Sequence, residues 1–550
     1  MNLFYKLIQM KTKSFISFAV CVAVSVLMCS CSNEESADSN SNSNGQLTAF
    51  TGGIVTEVPM ERMQLSTPEI STEVPGFLTR TSMNRNAIGG QGAFLWEPND
   101  VIYVEDDGGK LHKSKNTVTD AAPRATFLLD GSYTANQYDV YYCGTNSGAG
   151  DKKVVIAGNQ TQTAFNNTKH FGAVGDCGLA KAEKTTVSGR SGYKFDLEHK
   201  ASYLCFLPYM AYKVQRANFK IQSIEITSDN NISGTYDLGL SGLYGTGNSK
   251  TITLNVGNDG LALADQTAET PNIDNSLYVV IAPGPHALKV KYTVVDAKNT
   301  VMTITKSYKS HNFGANKICD IPVNLGVRHY SGHDYYMWDA AENYWSGHEW
   351  DAATPWQPTA AGERNDNYPK SKAADPSRWY NEGTAPFFEA SVNPLFNKLP
   401  NANEMCWYVL KGDAHCDDST WWEVFGQLHT GGMWLKKLSV IAKEAGKDPA
   451  VLKQADPKGN NILTTSEYYK ISPKNGKPAD NVIDKYFFLP ALGCYDSYSL
   501  GKLGSFGCYW SSSASPSGSS YAYGLCFFSG YLGLGSYSYR RTGVVAQPFE

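Results

Sequence analysis

Tyr521-Ala522-Tyr523-Gly524-Leu525-Cys526-Phe527-Phe528 is the stretch on which the fold of the C-terminal part turns. Tyr523, Leu525 and Phe527 recur at every second position, which places them on one face of a β-strand. That face is assigned to a core, and Tyr521, Cys526 and Phe528 to loops or an open face. The surrounding tail, from Leu489 to Phe549, is built almost entirely from Tyr, Ser, Gly, Cys, Phe and Leu. Tyr supplies broad, stiff, amphipathic contact area at low entropic cost, and Ser and Gly adapt around it. A Gly/Ser linker lacks aromatics at this density, so the tail reads as a binding surface.

The whole chain has 550 residues, room for about two to four domains. Abundant Gly and Tyr with few long helical patterns point to mostly β structure rich in turns. A net charge of −4 offers no basic patch or stripe, which excludes nucleic acid as an expected partner. Of the twelve Cys, Cys21, Cys29 and Cys31 fall in the N-terminal segment. The others are scattered, with no C-x-x-C pair, so neither a disulfide framework nor a zinc site is expected. Cys406 with Cys416, or Cys494 with Cys508, are the pairings that an oxidising compartment would allow.

Lys6, Lys11 and Lys13 precede an apolar run from Phe15 to Met28, the layout of a secretory signal too short to span a membrane comfortably. Met28-Cys29-Ser30-Cys31 resembles a bacterial lipobox, which makes Cys31 the expected lipidation site. Acyl chains there would hold the protein at a membrane surface. Ser32-Asn33-Glu34-Glu35-Ser36-Ala37-Asp38 and the Ser/Asn repeat up to Gly45 read as a flexible charged tether. Acidic residues behind the lipidated Cys resemble the surface-export signal of Bacteroidetes lipoproteins. The expected location is therefore the cell outer membrane, lipid-anchored and exposed outside the cell.

From Leu47 to about Leu325 the pattern is one of strands. Ile252, Leu254 and Val256 alternate with polar residues, as do Leu288, Val290, Tyr292 and Val294. Asp296 to Asn299 makes a turn, and Met302 and Ile304 begin the return strand. Phe219 and Ile221 followed by Ile224 and Ile226 alternate with one phase slip, the mark of a bulge. The unbroken run Leu277 to Ile281 reads as a fully buried strand ended by Pro283-Gly284. Glu97-Pro98-Asn99 matches a lectin calcium tripeptide, but no partner carboxylates lie near, so a turn is the better reading.

Phe50-Thr51-Gly52-Gly53-Ile54, Thr79-Arg80-Thr81 and Phe94 through Val104 resemble the opening strands of the fimbrillin family, the lipoprotein pilins of Bacteroidetes. Phe195-Asp196-Leu197-Glu198-His199-Lys200 resembles the start of that family's second sandwich, and Ile318 through Leu325 its ending. The resemblance implies two transthyretin-like β-sandwiches and assembly with other pilin subunits by donor-strand addition. It also implies proteolysis after an Arg, for which Arg80 and Arg85 are the candidates.

Beyond His329 the texture changes. Asn401 with Glu404 forms a capping box for a helix whose Met405, Tyr408 and Val409 share a face, stopped at Gly412. Leu435, Leu438, Ile441 and Ala442 form a second helical stripe ending near Gly446. Leu399 through Glu404, Gly431-Gly432-Met433-Trp434, Leu489-Pro490, Tyr509-Trp510-Ser511-Ser512 and Arg540 through Phe549 resemble the C-type-lectin-like fold of formylglycine-generating enzymes and of diversity-generating-retroelement variable proteins. From Ser519 to Arg541 every residue is encodable by a codon ending in a pyrimidine, the trace that adenine-directed diversification would leave. Carried over, the ligand-binding residues are Tyr495, Tyr498, Phe506, Cys508, Tyr521, Phe528, Tyr531, Tyr537, Tyr539 and Arg541, with Trp510 and Leu525 as scaffold.

The expected fold class is thus mostly β plus α+β. A signal peptide occupies 1–30, a tether 31–46, two sandwiches 47–185 and 186–327, and a C-type-lectin-like domain 328–550. The expected function is a surface adhesin, at a pilus tip rather than along a shaft, binding a protein or glycan on a host or microbial surface. An enzyme of the formylglycine-generating kind is the rival, and glycan capture for nutrient uptake is the third reading. Cys494, Cys508 and Cys526 have no His or acid at fixed spacing to activate a thiolate. Adjacent residues such as His415-Cys416-Asp417-Asp418 rarely converge on a metal, and Ser511-Ser512-Ser513 lacks a nucleophile elbow. No catalytic residue, cofactor or metal is therefore expected.

Overall fold

A computed structural model describes residues 47–53, 60–62, 82–90, 92–115, 118–145, 152–187, 189–263, 270–383, 388–516 and 518–550. Cys31 and Arg80 lie outside the described residues, as do the segments 1–30 and 31–46. No helix among the described residues is long and apolar enough to cross a membrane.

The strand Gly284–Val295 shows why the middle of the chain is a sandwich. Leu288, Val290, Tyr292 and Val294 are buried while their neighbours alternate toward solvent. Burying each such side chain contributes about 1.5–3 kcal/mol. Asp296 ends the strand as its carboxylate accepts the Lys298 and Thr300 amides at 2.8 Å, and Asn299 takes the left-handed φ of 64°. Val301–Phe313 then returns antiparallel. The sheet runs Asn159–Thr161, Thr251–Asn255, Lys220–Ser228, Gly284–Val295, Val301–Phe313. The phase slip is real: the register shifts between Ile221 and Ser223. A second sheet, Met60–Arg62, Ile318–Asn324, Ser202–Tyr209, Leu277–Ile281, shares its core, with Phe206 meeting Tyr292 at 5.9 Å.

Leu277–Ile281 is buried throughout yet stands at a sheet edge. Side-chain amides complete that edge. Gln160 donates to the Val280 carbonyl and accepts its N–H, and Gln162 does the same for Ser276 and Tyr278. A covered edge cannot recruit a stray strand.

The first β region differs from the expected sandwich. Seven of its strands lie in one sheet, from Leu111–Lys113 through Tyr103–Glu105, Gln137–Tyr142, Gly178–Val187, Arg190–Asp196 and Thr48–Gly53 to Ala125–Leu129, while Ser82–Asn84 and Ala93–Leu95 pair separately. Lys115 N–H donates to the Leu128 carbonyl at 2.9 Å and links the two ends, so the sheet curls around Phe50, Trp96, Phe127 and Tyr193. The expected boundary at 185/186 falls inside the Gly178–Val187/Arg190–Asp196 hairpin. Phe195 and Leu197 belong to this first core, and Lys153–Ile156 and Asn159–Thr161 have already crossed to pair with strands of the second region. Sequence motifs mark strands, but only long-range pairing decides which sheet owns them.

The head begins where Arg328–Tyr330 pairs with Trp422–Val424. Its helix Ala402–Lys411 carries the full capping box, Asn401 accepting from Glu404 N–H and Glu404 accepting from Asn401 N–H. The second stripe is shorter than expected. Leu435 lies in the strand Gly432–Lys436, paired with Tyr486–Pro490, and the helix covers only Leu438–Glu444. The head is braced on the second region: Asp296 accepts Leu428 N–H at 2.8 Å, and Gln215 bonds both backbone groups of Val327.

Candidate functional site

The tail forms the centre of a six-stranded sheet, ordered Tyr335–Tyr336, Val544–Val545, Phe506–Ala514, Tyr521–Phe528, Tyr531–Tyr539, Tyr469–Ile471. One face sends Tyr509, Tyr523, Leu525, Phe527, Leu532 and Leu534 into the core shared with the Ala402–Lys411 helix. The other face is not open along its length. Cys508, Trp510 and Ala522 pack there under Trp338, Phe396 and Leu399. The hairpin emerges at its two ends, at Phe528 and Tyr531 beside the turn and at Tyr521 and Tyr539 at the open end.

At that end a row of aromatics crosses the sheet, because Phe506 is opposite Phe528 and Phe528 opposite Tyr531. Phe528 is 47% exposed and stacks on Tyr531 with ring centroids 4.7 Å apart and planes 11° off parallel. Tyr531 bonds hydroxyl to hydroxyl with Tyr468 at 2.7 Å, and Tyr468 is 49% exposed. Burial, then that bond, raises the Tyr531 pKa, so it stays a neutral phenol. Gly533 permits the arrangement: a Cβ there would stand 2.2 Å from the Tyr531 hydroxyl. The rings therefore lie down along the strand, as aromatics do over sheet glycines. Lys502 sits over Phe506 at 5.1 Å.

Two further groups stand apart. At the open end of the hairpin Tyr521 and Tyr539 are 4.9 Å apart, with Arg541 over Tyr539 at 5.3 Å. Seven strand steps of ~3.3 Å put this group about 23 Å from Phe528, beyond the reach of one small ligand. Tyr498 lies beside Tyr368 at 6.2 Å with Arg364 over its ring.

Of the ten expected ligand-binding residues, two are corrected outright. Tyr495 is fully buried, donates to the Pro358 carbonyl at 2.5 Å and packs among Tyr335, Tyr344 and Trp345. Cys508 is buried and disulfide-bonded to Cys526, its cross-strand neighbour. The pairings Cys406–Cys416 and Cys494–Cys508 are thereby corrected too, since all three remaining thiols are free. Tyr498, Phe506, Tyr521, Phe528, Tyr531, Tyr539 and Arg541 are at least partly exposed. The side chain of Tyr537 lies outside the described residues. Trp510 and Leu525 are buried, as scaffold residues must be.

Arg85 is also corrected as a cleavage site. Its guanidinium is buried and doubly bonded to Asp320, at 2.6 Å through each nitrogen. Burial opposes the charge, yet the Asp320 bond outweighs it and raises the Arg85 pKa. A protease cannot reach such a side chain. Arg540 is buried differently, without a carboxylate. It donates to the carbonyls of Tyr521, Asn381 and Glu382 between the rings of Trp338 and Phe388.

Glu97-Pro98-Asn99 forms a turn in which Asp100 N–H donates to the Glu97 carbonyl and Asn99 has a φ of 71°. In His415-Cys416-Asp417-Asp418, strand alternation sends neighbours apart. Asp417 is buried; although burial opposes its charge, donors from Ser419, Thr420 and Trp434 hold its carboxyl below the usual range. Among the described residues no three His, Cys, Asp or Glu groups are placed to share a metal.

Sequence reading missed Tyr468, Tyr368 and Arg364. Tyr468 carried a signal: where a strand begins at Tyr469, its neighbour Tyr468 points away from the face that Tyr469 takes. It is Tyr469 that turns in, bonded to Asp456 at 2.6 Å. Also missed was a cleft of about 450 Å³ beside the hairpin turn, lined by Phe528, Ser529, Asp418, Asn475 and Ser505.

No family model matches the chain, and no curated protein matches it. Among solved structures it is similar to a proposed cell adhesion protein of Bacteroides ovatus, at 11% identity and a TM-score of 0.29, covering 43% of this chain and 87% of that one. A fimbrial protein of Bacteroides ovatus aligns at 10% identity and a TM-score of 0.22, covering 83% and 94%. The fimbrial anchor protein Mfa2 of Porphyromonas gingivalis aligns at 12% identity and a TM-score of 0.21, covering 51% and 91%. Scores of this size lie below those from which a common fold follows, so the functional reading rests on the residues.

Proposed function

We propose that the chain is a cell-surface adhesin whose head recognises a protein or glycan on a host or microbial surface. One observation carries this reading: Phe528, Tyr531 and Tyr468 form an exposed, mutually stacked and bonded aromatic group at the turn end of a sheet whose Phe506–Ala514 strand is covered on both faces. Nothing in packing calls for exposed rings there, whereas recognition uses stiff aromatic area on a rigid support. The support is stiffened by the Cys508–Cys526 bond across neighbouring strands and by the seam at Asp296 and Leu428.

In this reading Cys31 carries the lipid anchor at the outer membrane and residues 31–46 are the tether. The two β regions raise a C-type-lectin-like head, at a fimbrial tip rather than along a shaft, and neighbouring pilin subunits join by strand addition. The tract from Ser519 to Arg541 is the diversified part. Binding is favoured over turnover by the state of the thiols: burial pushes Cys494 up to about 11, leaving it protonated and weakly nucleophilic at neutral pH.

The test is gain of adhesion. Non-adherent bacteria displaying the full chain should bind a host-cell or microbial layer about ten-fold more than cells carrying Cys31→Ala, the effect of ~1.4 kcal/mol of surface attachment. Purified full chain should compete. Equal adhesion with and without the displayed chain would overturn the reading.

A further inference from the structure

We infer that the cleft of about 450 Å³ at the turn end of the head sheet is a subsite for one ring of a neutral sugar, stacked on Phe528 and hydrogen-bonded by Asp418, Asn475, Ser505 and Ser529. This rests on the adhesin reading and names the ligand class of its exposed end.

A pyranose ring has an apolar C–H face and a rim of hydroxyls, so it needs an aromatic plane and several polar groups around one small space. Phe528 provides the plane. One of its faces is held by Tyr531, which fixes the ring and leaves the other for a ligand. The polar groups have capacity to spare. Asp418 and Asn475 are exposed. Ser529 is exposed as well, and Ser505 donates to the Lys502 carbonyl at 3.1 Å, keeping its lone pairs for a donor. Asp417, deeper in the wall, is occupied by Ser419, Thr420 and Trp434 and serves as support.

The floor is backbone. Gly431 has a φ of +95°, and a Cβ there would stand 2.2 Å from the Gly504 carbonyl oxygen, so a bare chain passes under the cleft. Cys416, on the His415–Asp417 strand, and Ser529, at the hairpin turn, line the same cleft from segments far apart in the sequence. The volume is at the small end of ligand sites, which run about 300–1,000 Å³, and suits a sugar ring better than an extended peptide. Asp418 is the exposed charge of the lining, which favours neutral over anionic sugars.

The experiment is saturation-transfer NMR on the full chain with methyl pyranosides of glucose, galactose, mannose and N-acetylglucosamine, and with methyl sialoside. At least one neutral pyranoside should receive saturation, falling about ten-fold in Phe528→Ala and in Ser505→Trp, which fills the cleft. Asp418→Asn, nearly isosteric, should weaken it several-fold, and Tyr539→Ala should leave it unchanged. All these side chains are at least partly exposed, so the variants should fold. No transfer to any pyranoside, equal transfer in all variants, or a stronger sialoside signal would overturn the sugar subsite. If the displayed chain still confers adhesion while no pyranoside binds, the subsite falls and the adhesin stands. If it confers no adhesion, the adhesin reading falls first.

Discussion

The second β region and the head both cover a sheet, and they do it by opposite means. Gly284–Val295 buries one face against a partner sheet and leaves the other to water, so every second residue announces its position. Phe506–Ala514 is buried on both faces along nearly its whole length. Its upper face lies under Trp338, Phe396 and Leu399, residues far away in sequence. In the second β region an exposed side chain is ordinary. On the central strands of the head sheet it is the exception, and at the hairpin turn exposed Phe528 is joined by Tyr531 and exposed Tyr468. That contrast is the reason for placing recognition at Phe528 and its neighbours.

The largest expected effect would break the β regions while sparing the head. Asp320→Ala leaves the buried Arg85 guanidinium without its carboxylate and should cost about 3–5 kcal/mol in urea denaturation. A loss under ~1 kcal/mol would mean that the pair does not hold that segment. Next, replacing both Cys508 and Cys526 by Ala should destabilise the head by about 3 kcal/mol, from a cross-link spanning 18 residues. The matching measurement is denaturation with and without a thiol reductant; if unfolding of the second β region moves instead, the contrast between it and the head is wrong.

Acid should act on both. Burial lowers His170, beside Tyr278 of the second β region, and His429, in the head, to about 4. Between about 6.5 and 4 the unfolded chain takes up a proton that the folded chain refuses, so stability falls as pH drops through this window. The slope should be up to about 1.4 kcal/mol per pH unit for each histidine. His170→Phe and His429→Phe should each flatten one part of it in pH-dependent denaturation, and an unchanged slope in either would contradict that site's share. Smallest of all, Phe528→Ala should change stability by no more than about 0.5 kcal/mol by the same measurement, because the ring is half exposed.

Much of the second β region was legible in the sequence: the alternation at Leu288 to Val294, the turn at Asp296 and the slip after Ile221 all survive in the structure. These are local consequences of strand geometry. The capping box at Asn401 was legible for the same reason. What escaped was set by distant partners. Leu435 fits a helical stripe but is held as a strand by Tyr486–Pro490. Tyr495 belongs to a surface-like composition yet is enclosed by Tyr335, Tyr344 and Trp345. Arg85 looks like a solvated loop residue until Asp320 arrives from 235 positions away. The alternation of Tyr523, Leu525 and Phe527 identified the core face correctly, and the opposite face was then taken as open because nothing local shows its cover.

The central claim is tested most directly by comparing the two ends of one hairpin. Bacteria displaying the full chain with Phe528→Ala, Tyr531→Ala and Tyr468→Ala together should lose about ten-fold in adhesion, equivalent to ~1.4 kcal/mol. Cells displaying Tyr521→Ala with Tyr539→Ala should adhere as the parent does. The reverse order, or equal losses at both ends, would contradict the placement of recognition at the turn.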